Sequence, residues 1–197
     1  MDDNGSAMEA KWVKIKPELL DAYSMLVAQL KSSNSSQDLL DAYLAAKRLA
    51  ADAYQALLRA NIPDHEASWK TVRQTLGYEM HRRYGNVLPD WALKIPHNSV
   101  THQELFALLA ERIGESVPAD FLRIVTADAV HAERRVRELR ELGLDIVSAK
   151  VADADTYTLT SFEVNVAYVY SIAANTIKAN KKISSKERET LLESLGN

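Results

Sequence analysis

Cysteine is absent from the 197-residue sequence, which excludes disulfide bonds, thiolate metal ligands and cysteine nucleophiles. Glycine and proline are scarce, at six and five residues, while alanine, leucine, glutamate, lysine and arginine are abundant. This composition is typical of a mainly α-helical protein. Hydrophobic residues make up 47% of the chain, which is enough for the core of one domain or of two small ones.

Long apolar segments are also missing. No run approaches the roughly 18 apolar residues that a transmembrane helix needs. Residues 1–6 are acidic and polar, unlike the basic and apolar start of a secretory signal. We therefore expect a cytoplasmic protein with no membrane partner.

The sequence has no overall excess of positive charge. Its formal net charge is −3, which argues against a protein that coats nucleic acid non-specifically. Binding to nucleic acid must therefore depend on local charge, and two segments offer it. Residues 131–140 contain four arginines against two glutamates, and residues 178–188 contain five basic residues against one glutamate.

Catalytic motifs are absent as well. The sequence contains no H-E-x-x-H or G-x-S-x-G motif, no glycine-rich phosphate loop and no nucleotide-binding fingerprint. The histidines lie in separate segments without a carboxylate at a known ligand spacing: His65, His81, His97, His102 and His131. We expect no metal, no cofactor, no small-molecule substrate and no catalytic site here. If the chain is part of a nuclease, its catalytic domain lies elsewhere.

Three stretches before residue 98 have the periodicity of amphipathic helices. The first opens at Pro17 after ten loose residues and ends at the polar connector 32–36, so the second, 37–60, should return antiparallel. The first helix is expected to place on one face Leu19, Leu20, Tyr23, Leu26, Val27 and Leu30. The second should place inward Leu39, Leu40, Tyr43, Ala46, Leu49, Ala53, Leu57 and Leu58. The third, capped by Asp64 and ended by Gly85, carries Trp69, Val72, Leu76, Met80 and Tyr84. We predict a helical bundle with a connector over residues 1–98.

Three short helices and a hairpin follow in residues 101–160. Thr101 and Glu104 form a capping box for a helix that ends at Gly114, and Pro118 suits the first position of a second short helix. Thr126 can cap a third helix over 127–142, which Gly143 ends. The alternating segments 144–148 and 157–160 then flank the polar tip 152–155 and predict a β-hairpin.

The third helix has one apolar and one charged side. Ala129, Ala132, Val136 and Leu139 share the inward face, whereas His131, Arg134 and Glu138 lie opposite, with Arg135 and Arg137 on the flanks. An outward row of guanidinium groups on a rigid helix fits a DNA groove. An alternative remains, because the pairs 133/137, 134/138 and 137/141 could simply stabilise an exposed helix by about 0.2–0.5 kcal/mol each.

The run RRVRELRELGLDI from Arg134 to Ile146, followed by Tyr157-Thr158-Leu159, resembles the R-R-I-R-x-L-R-x-x-G-x-x-I … Y-x-L signature of winged helix-turn-helix domains. It is similar to those of biotin-repressor-type regulators and to those carried by bacterial restriction and HNH-type endonucleases. The resemblance implies a double-stranded DNA-binding domain over 99–160, with the third helix in the major groove and the hairpin, or wing, against the backbone. Acidic Asp153 and Asp155 at the wing tip, and the lack of glycine before Tyr157, depart from the pattern.

The expected DNA-binding residues fall into two groups. His131, Arg134 and Arg135 are candidates for base edges, since arginine can donate two hydrogen bonds to guanine, and Thr126 joins them at the start of the helix. Phosphate contacts are expected from Arg137, Lys178, Lys181 and Lys182.

Residues 161–182 alternate like a strand, but Thr160 and Glu163 also form a capping box, and we predict a helix. Its apolar segment 161–177 would pack on the bundle or form a homodimer, and Ser184 would cap a last helix. The predicted fold is mainly α: a bundle (1–98), a winged helix-turn-helix with a small wing (99–160) and C-terminal helices (161–197). The predicted function is sequence-specific DNA binding as the recognition part of a restriction endonuclease or restriction-related system. The alternatives are a transcriptional regulator, or a helical interaction or oligomerisation module that does not bind DNA.

Overall fold

The computed structural model describes residues 3–32, 35–127 and 132–196, which form eight α-helices, a 3-10 turn and a three-stranded antiparallel sheet. The helices are α1 (Asp3–Ser32), α2 (Ser36–Ala60), α3 (Glu66–Tyr84), α4 (Val100–Glu111), α5 (Ala119–Val125), α6 (Ala132–Glu141), α7 (Val169–Ala179) and α8 (Ser185–Leu195). The strands are β1 (Val117–Pro118), β2 (Leu144–Val151) and β3 (Ala154–Val164), and the 3-10 turn is Val166–Tyr168. The predicted mainly α class is confirmed. None of the described helices combines the length and the apolar character needed to cross a membrane.

Contacts between Cα atoms divide the chain into two units. The first comprises Met1–Asp64 and Ala119–Ala132, and the second comprises His65–Pro118 and Glu133–Asn197. This grouping differs from the predicted division at residue 98, because α3 belongs to the second unit and α5, predicted within 99–160, belongs to the first.

In the first unit, α1 and α5 both pack on α2. Ala46, Ala53 and Ala56 of α2 are buried, and their small side chains allow close approach of the neighbouring helices. Near the end of α5, the carbonyl oxygen of Val125 accepts a hydrogen bond of 2.9 Å from Gln55 Nε2. This bond satisfies one of the carbonyls that a helix C-terminus leaves without a partner.

The predicted start of α1 is wrong, because the helix begins at Asp3 and Pro17 lies inside it. Proline removes one backbone hydrogen bond and usually breaks a helix. In α1, packing on α2 continues past this point, since Leu19 is only 4% exposed. The burial of the apolar side chains therefore outweighs the lost bond.

The second unit has an aromatic core. The ring centroids of Trp69 and Phe106 lie 5.2 Å apart, and those of Phe106 and Phe162 lie 6.3 Å apart. The apolar face predicted for α3 is confirmed, since Trp69, Val72, Leu76 and Met80 are all at most 4% exposed. Gly85 follows α3 as predicted, but the N-cap is His65 rather than Asp64.

The sheet has the strand order β1-β3-β2, with β3 in the centre. Val117 of β1 pairs with Tyr157, and Ile146 of β2 pairs with Leu159. The predicted hairpin is present and longer than expected. Its two turn residues, Ala152 and Asp153, have φ angles of 48° and 65°, as a type I′ hairpin turn requires.

Strand β1 was missed, and the prediction that Pro118 opens a helix is wrong. Pro118 ends β1, and α5 begins at Ala119. Two residues are too few to show the alternation that identifies a strand, and only the pairing with β3, some forty residues later, defines this one.

The helix predicted over 161–182 is also partly wrong. Strand β3 continues to Val164, whose partner is Leu144, and α7 begins only at Val169. The apolar residues of α7 are buried within the chain, where α7 contacts α3 and α8. They are Val169, Ile172, Ala173, Ala174 and Ile177. Phe162, Tyr168 and Tyr170 of the same segment are 41–48% exposed, so the homodimer contact expected through 161–177 stays a prediction.

Candidate nucleic-acid interface

Helix α6 turns its apolar side into the second unit. Val136 and Leu139 are fully buried, as predicted, whereas Arg134 and Arg137 are exposed. Gly143 ends the helix with a φ of 86°, and a Cβ atom there would lie 2.6 Å from the carbonyl oxygen of Asn165. Glycine is therefore needed both for the left-handed conformation and for the close approach.

Glu138 is the centre of a charged cluster that the sequence did not predict. It was expected on the solvent face of the helix, but it is only 5% exposed. Its carboxylate accepts hydrogen bonds from Arg134 Nε at 3.1 Å, Arg135 Nη1 at 2.7 Å and His102 Nε2 at 2.8 Å. A carboxylate can be buried in this way because three donors replace its lost hydration.

His102 connects this cluster to the start of α4. The predicted capping box of Thr101 and Glu104 is wrong: the N-cap is Ser99, and His102 occupies the N3 position. The Ser99 backbone N–H donates to His102 Nδ1 at 3.3 Å, and the Ser99 hydroxyl lies 2.6 Å from the same nitrogen. Because Nδ1 accepts, the ring proton is on Nε2, which donates it to Glu138.

The pKa values agree with this assignment of protons. Burial lowers the pKa of His102, although its hydrogen bond with Glu138 opposes the change, so the ring is neutral at pH 7. Burial alone would raise the pKa of Glu138. The hydrogen bonds from Arg135 and His102 outweigh that effect and bring the pKa to about 2, so the carboxyl is ionised.

His97, His102 and Glu138 also place possible metal-ligand atoms within 4.8 Å of one another, a cluster that the sequence spacing did not indicate. The surrounding groups do not favour a cation. Arg135 already occupies the carboxylate oxygen that His102 contacts, and it brings a positive charge. Metal binding through Nε2 of His102 would move the ring proton to Nδ1, where the Ser99 N–H already points. The cluster is better described as a hydrogen-bonded ion network.

The arginines of α6 differ in their hydrogen bonding to the rest of the chain and in their exposure. Arg140 Nε donates to the carbonyl oxygen of Ile146 at 2.6 Å, and its guanidinium lies over the ring of Tyr157. Arg134 uses only Nε, and its side chain remains 61% exposed. Arg137 is exposed and forms no hydrogen bond or ion pair with another described residue. Of the three pairs predicted at i, i+4 spacing, only Arg134–Glu138 is found among the described residues.

The remaining predicted residues have mixed outcomes. His131 lies outside the described residues. Thr126 is 6% exposed, and its hydroxyl donates to the Leu122 carbonyl oxygen at 2.9 Å, so we leave it out of the DNA-contacting set. Lys178, Lys181 and Lys182 are all exposed, in the last turn of α7 and in the loop that follows.

In a comparison with protein families, residues 102–160 match the KpnI N-terminal domain. Comparison with curated proteins found no match, and neither did comparison with solved structures. KpnI is a restriction enzyme, so the match relates this segment to restriction systems. The matched segment contains most of α4, all of α5 and α6 and most of the sheet. It includes Glu138, His102, Arg134 and Arg135, whereas Ser99 and His97 precede it.

Proposed function

We propose that residues 99–118 and 133–164, with α5 between them in sequence, belong to a winged-helix module that binds duplex DNA for a restriction-related system. The order of elements supports it: helix α4, strand β1, helices α5 and α6, then the hairpin β2–β3. The β2–β3 hairpin supports it as well, because it follows directly after α6, where the resemblance expects the wing. The KpnI match over the same segment favours restriction rather than transcriptional control.

The main support for placing α6 in the major groove is the geometry of Arg134. Glu138 holds Arg134 by Nε, while the side chain remains largely exposed. The Nε bond restrains the guanidinium, and no hydrogen bond from its Nη groups is found among the described residues, so both are available to a ligand. Arginine reads guanine by donating two hydrogen bonds to O6 and N7, and a guanidinium that is already oriented loses less entropy on binding. Glu138 thus has the role of positioning the arginine that reads the base.

Phosphate contacts are assigned to exposed basic residues that no carboxylate among the described residues orients. Arg137 lies one turn along α6 from Arg134, in the basic segment 131–140. Lys178, Lys181 and Lys182 belong to the second basic segment, 178–188. Contacts to phosphate fix the register of a protein on DNA without reading its sequence. The wing tip is left out, since Asp153 and Asp155 are exposed and acidic.

Cleavage of DNA, where it occurs in such a system, is assigned to a domain or partner outside this chain. The described residues of the interface form an ion network centred on a carboxylate that arginines neutralise. A metal-dependent nuclease needs carboxylates that are free to bind Mg²⁺ and stabilise the attacking and leaving oxygens. This chain is therefore proposed as the recognition component.

Binding to a random-sequence duplex in a series of salt concentrations tests the proposal. Four phosphate contacts predict that the logarithm of the binding constant falls with the logarithm of salt concentration with a slope of about −3 to −4 per chain. Replacing both Lys181 and Lys182 by alanine should reduce this slope by about 2. A protein that does not bind duplex at low salt, or whose binding is insensitive to salt, would rule the function out.

A further inference from the structure

Helix α1 carries two apolar stripes rather than the single predicted face. Ile15, Leu19, Ala22 and Leu26 are buried or half-buried, and they form the stripe that packs on α2. A second stripe is 37–63% exposed, and its residues follow one another at intervals of seven, three, four and three. They are Val13, Leu20, Tyr23, Val27 and Leu30. Spacing of this kind is that of the a and d positions of a coiled coil.

Helix α2 repeats this arrangement. Its inner stripe includes the buried Ala46 and Ala53, with Ala42 and Leu49 half-buried. Leu40, Tyr43, Leu44 and Tyr54 are 37–49% exposed, on the side of the helix that the inner stripe does not use. The expectation that Leu40 and Tyr43 point inward is therefore wrong. The single apolar face expected for α1 is also wrong, because Leu20, Tyr23, Val27 and Leu30 are exposed whereas Leu19 is buried.

The two exposed stripes lie on the same side of the α1–α2 hairpin. Burial and the neighbouring Tyr54 side chain of α2 together raise the pKa of the Tyr23 phenol on α1, which places these two side chains near each other. The ring of Trp12 lies 6.4 Å from that of Tyr54, which again links the two helices on this side. The stripes therefore form one continuous apolar surface, which we call the outer face.

We propose that the outer face is a dimer interface that binds the same face of a second copy of this chain, forming a four-helix bundle. The area agrees with this occupant. The nine exposed residues of the two stripes together present roughly 800 Å², about what each partner contributes to a stable interface of standard size. Two antiparallel helices that expose apolar stripes on one side are also self-complementary under two-fold rotation, so both copies can contribute the same residues.

The charged residues of the α1–α2 hairpin are compatible with burial of the outer face in a dimer. Lys16 and Lys47 are the charged residues that fall at stripe positions, and their long stems can extend to the edge of a bundle while the amines stay hydrated. Exposed apolar surface of this size on a single chain is otherwise a liability for aggregation. A second copy covers it without requiring any other protein.

Sedimentation of the full chain at micromolar concentration tests the interface. The sedimenting species of the wild-type protein should have twice the 22.0 kDa mass of one chain. Leu20→Glu places a charge in the centre of the outer face and should weaken the dimer roughly 100-fold or more, giving a monomer. Met25→Glu is the matched control, since Met25 is 64% exposed on the same helix but off the stripe, and this variant should remain a dimer.

Helicity measured by circular dichroism on each variant separates dissociation from unfolding. A monomeric, fully helical Leu20→Glu chain beside a dimeric Met25→Glu chain supports the interface, and Val27→Glu should repeat the effect of Leu20→Glu. A monomeric wild-type chain would overturn the proposal, because the outer face would then be covered by something other than a second copy. A dimer that survives both Leu20→Glu and Val27→Glu would overturn it as well.

Discussion

Arg134→Ala should weaken binding to the preferred duplex by roughly 5-fold to 150-fold, equivalent to 1–3 kcal/mol, and should remove the preference at one base pair. The physical reason is that alanine cannot replace the two hydrogen bonds that an oriented guanidinium donates to guanine. Glu138 holds Arg134 by Nε and leaves the rest of the group exposed. Fluorescence anisotropy with the preferred duplex, and with the same duplex altered at single base pairs, measures both effects.

Two variants make the comparison specific. Arg134→Lys keeps the charge but loses the planar pair of donors, so it should resemble alanine in its loss of sequence preference. Lys181→Ala should weaken all duplexes about equally, because a phosphate contact does not read sequence. If Arg134→Ala instead weakened every duplex by the same factor, the assignment of Arg134 to a base edge would be wrong.

Glu138→Gln should lower the free energy of unfolding at pH 7 by about 2–3 kcal/mol, and the melting temperature by roughly 4–12 °C. The carboxylate accepts charged or buried hydrogen bonds from Arg134, Arg135 and His102, and a neutral amide cannot accept all three. The amide also turns an N–H group toward one of these donors. Urea denaturation of both proteins gives the difference, and Glu189→Gln, an exposed change on α8, should have almost no effect.

The difference in free energy of unfolding between wild type and Glu138→Gln should depend on pH. The pKa of Glu138 in the folded state is about 2, below its ordinary value of 4.5. A lowered pKa means that the stabilisation is present in full above pH 4.5 and is lost as the pH falls through 2. The difference between wild type and Glu138→Gln should therefore narrow below pH 4.5 and close near pH 2. A difference that stayed constant over this range would show that the charge of Glu138 is not the cause.

The parts of the site that sequence alone predicts are those with strong local signals. Gly143 ends α6 because a left-handed position at a helix end favours glycine, and the alternation on either side of Ala152 and Asp153 indicates the hairpin. The buried face of α6 follows from the spacing of Val136 and Leu139. These elements are defined within a few residues, so no knowledge of distant contacts is required.

Contacts between distant residues account for most of what sequence reasoning missed. His102 and Glu138 are 36 positions apart, and only the folded chain brings α4 and α6 together to form their hydrogen bond. On a helical wheel Glu138 belongs to the charged side, because periodicity describes a helix without its neighbours. A carboxylate opposite the apolar face becomes buried only when another element supplies donors. The spacing Ser99-x-x-His102, read as a helix start, was the one local hint.

The N-terminal helices show a related limit. Apolar periodicity predicted a single apolar face for α1 that includes both Leu19 and Leu20, but Leu19 is buried whereas Leu20 is 58% exposed. Two adjacent apolar stripes resemble one broad stripe in a sequence, and only packing shows which of them a neighbour covers. In strand β3 a local signal was misleading. Thr160 and Glu163 resemble a helix cap, but the pairing of Val164 with Leu144 keeps this segment in the sheet.

The most direct measurement of the central claim is a nuclear magnetic resonance titration of the isotope-labelled chain with a short duplex, following the Nε–H signals of its arginines. We predict that the signals of Arg134 and Arg137 shift together and saturate with the DNA, while that of Arg82, which donates to Glu79 on α3, stays in place. Saturation with duplex that leaves Arg134 and Arg137 unchanged would contradict the account, because DNA would then bind elsewhere and α6 would be only a structural helix.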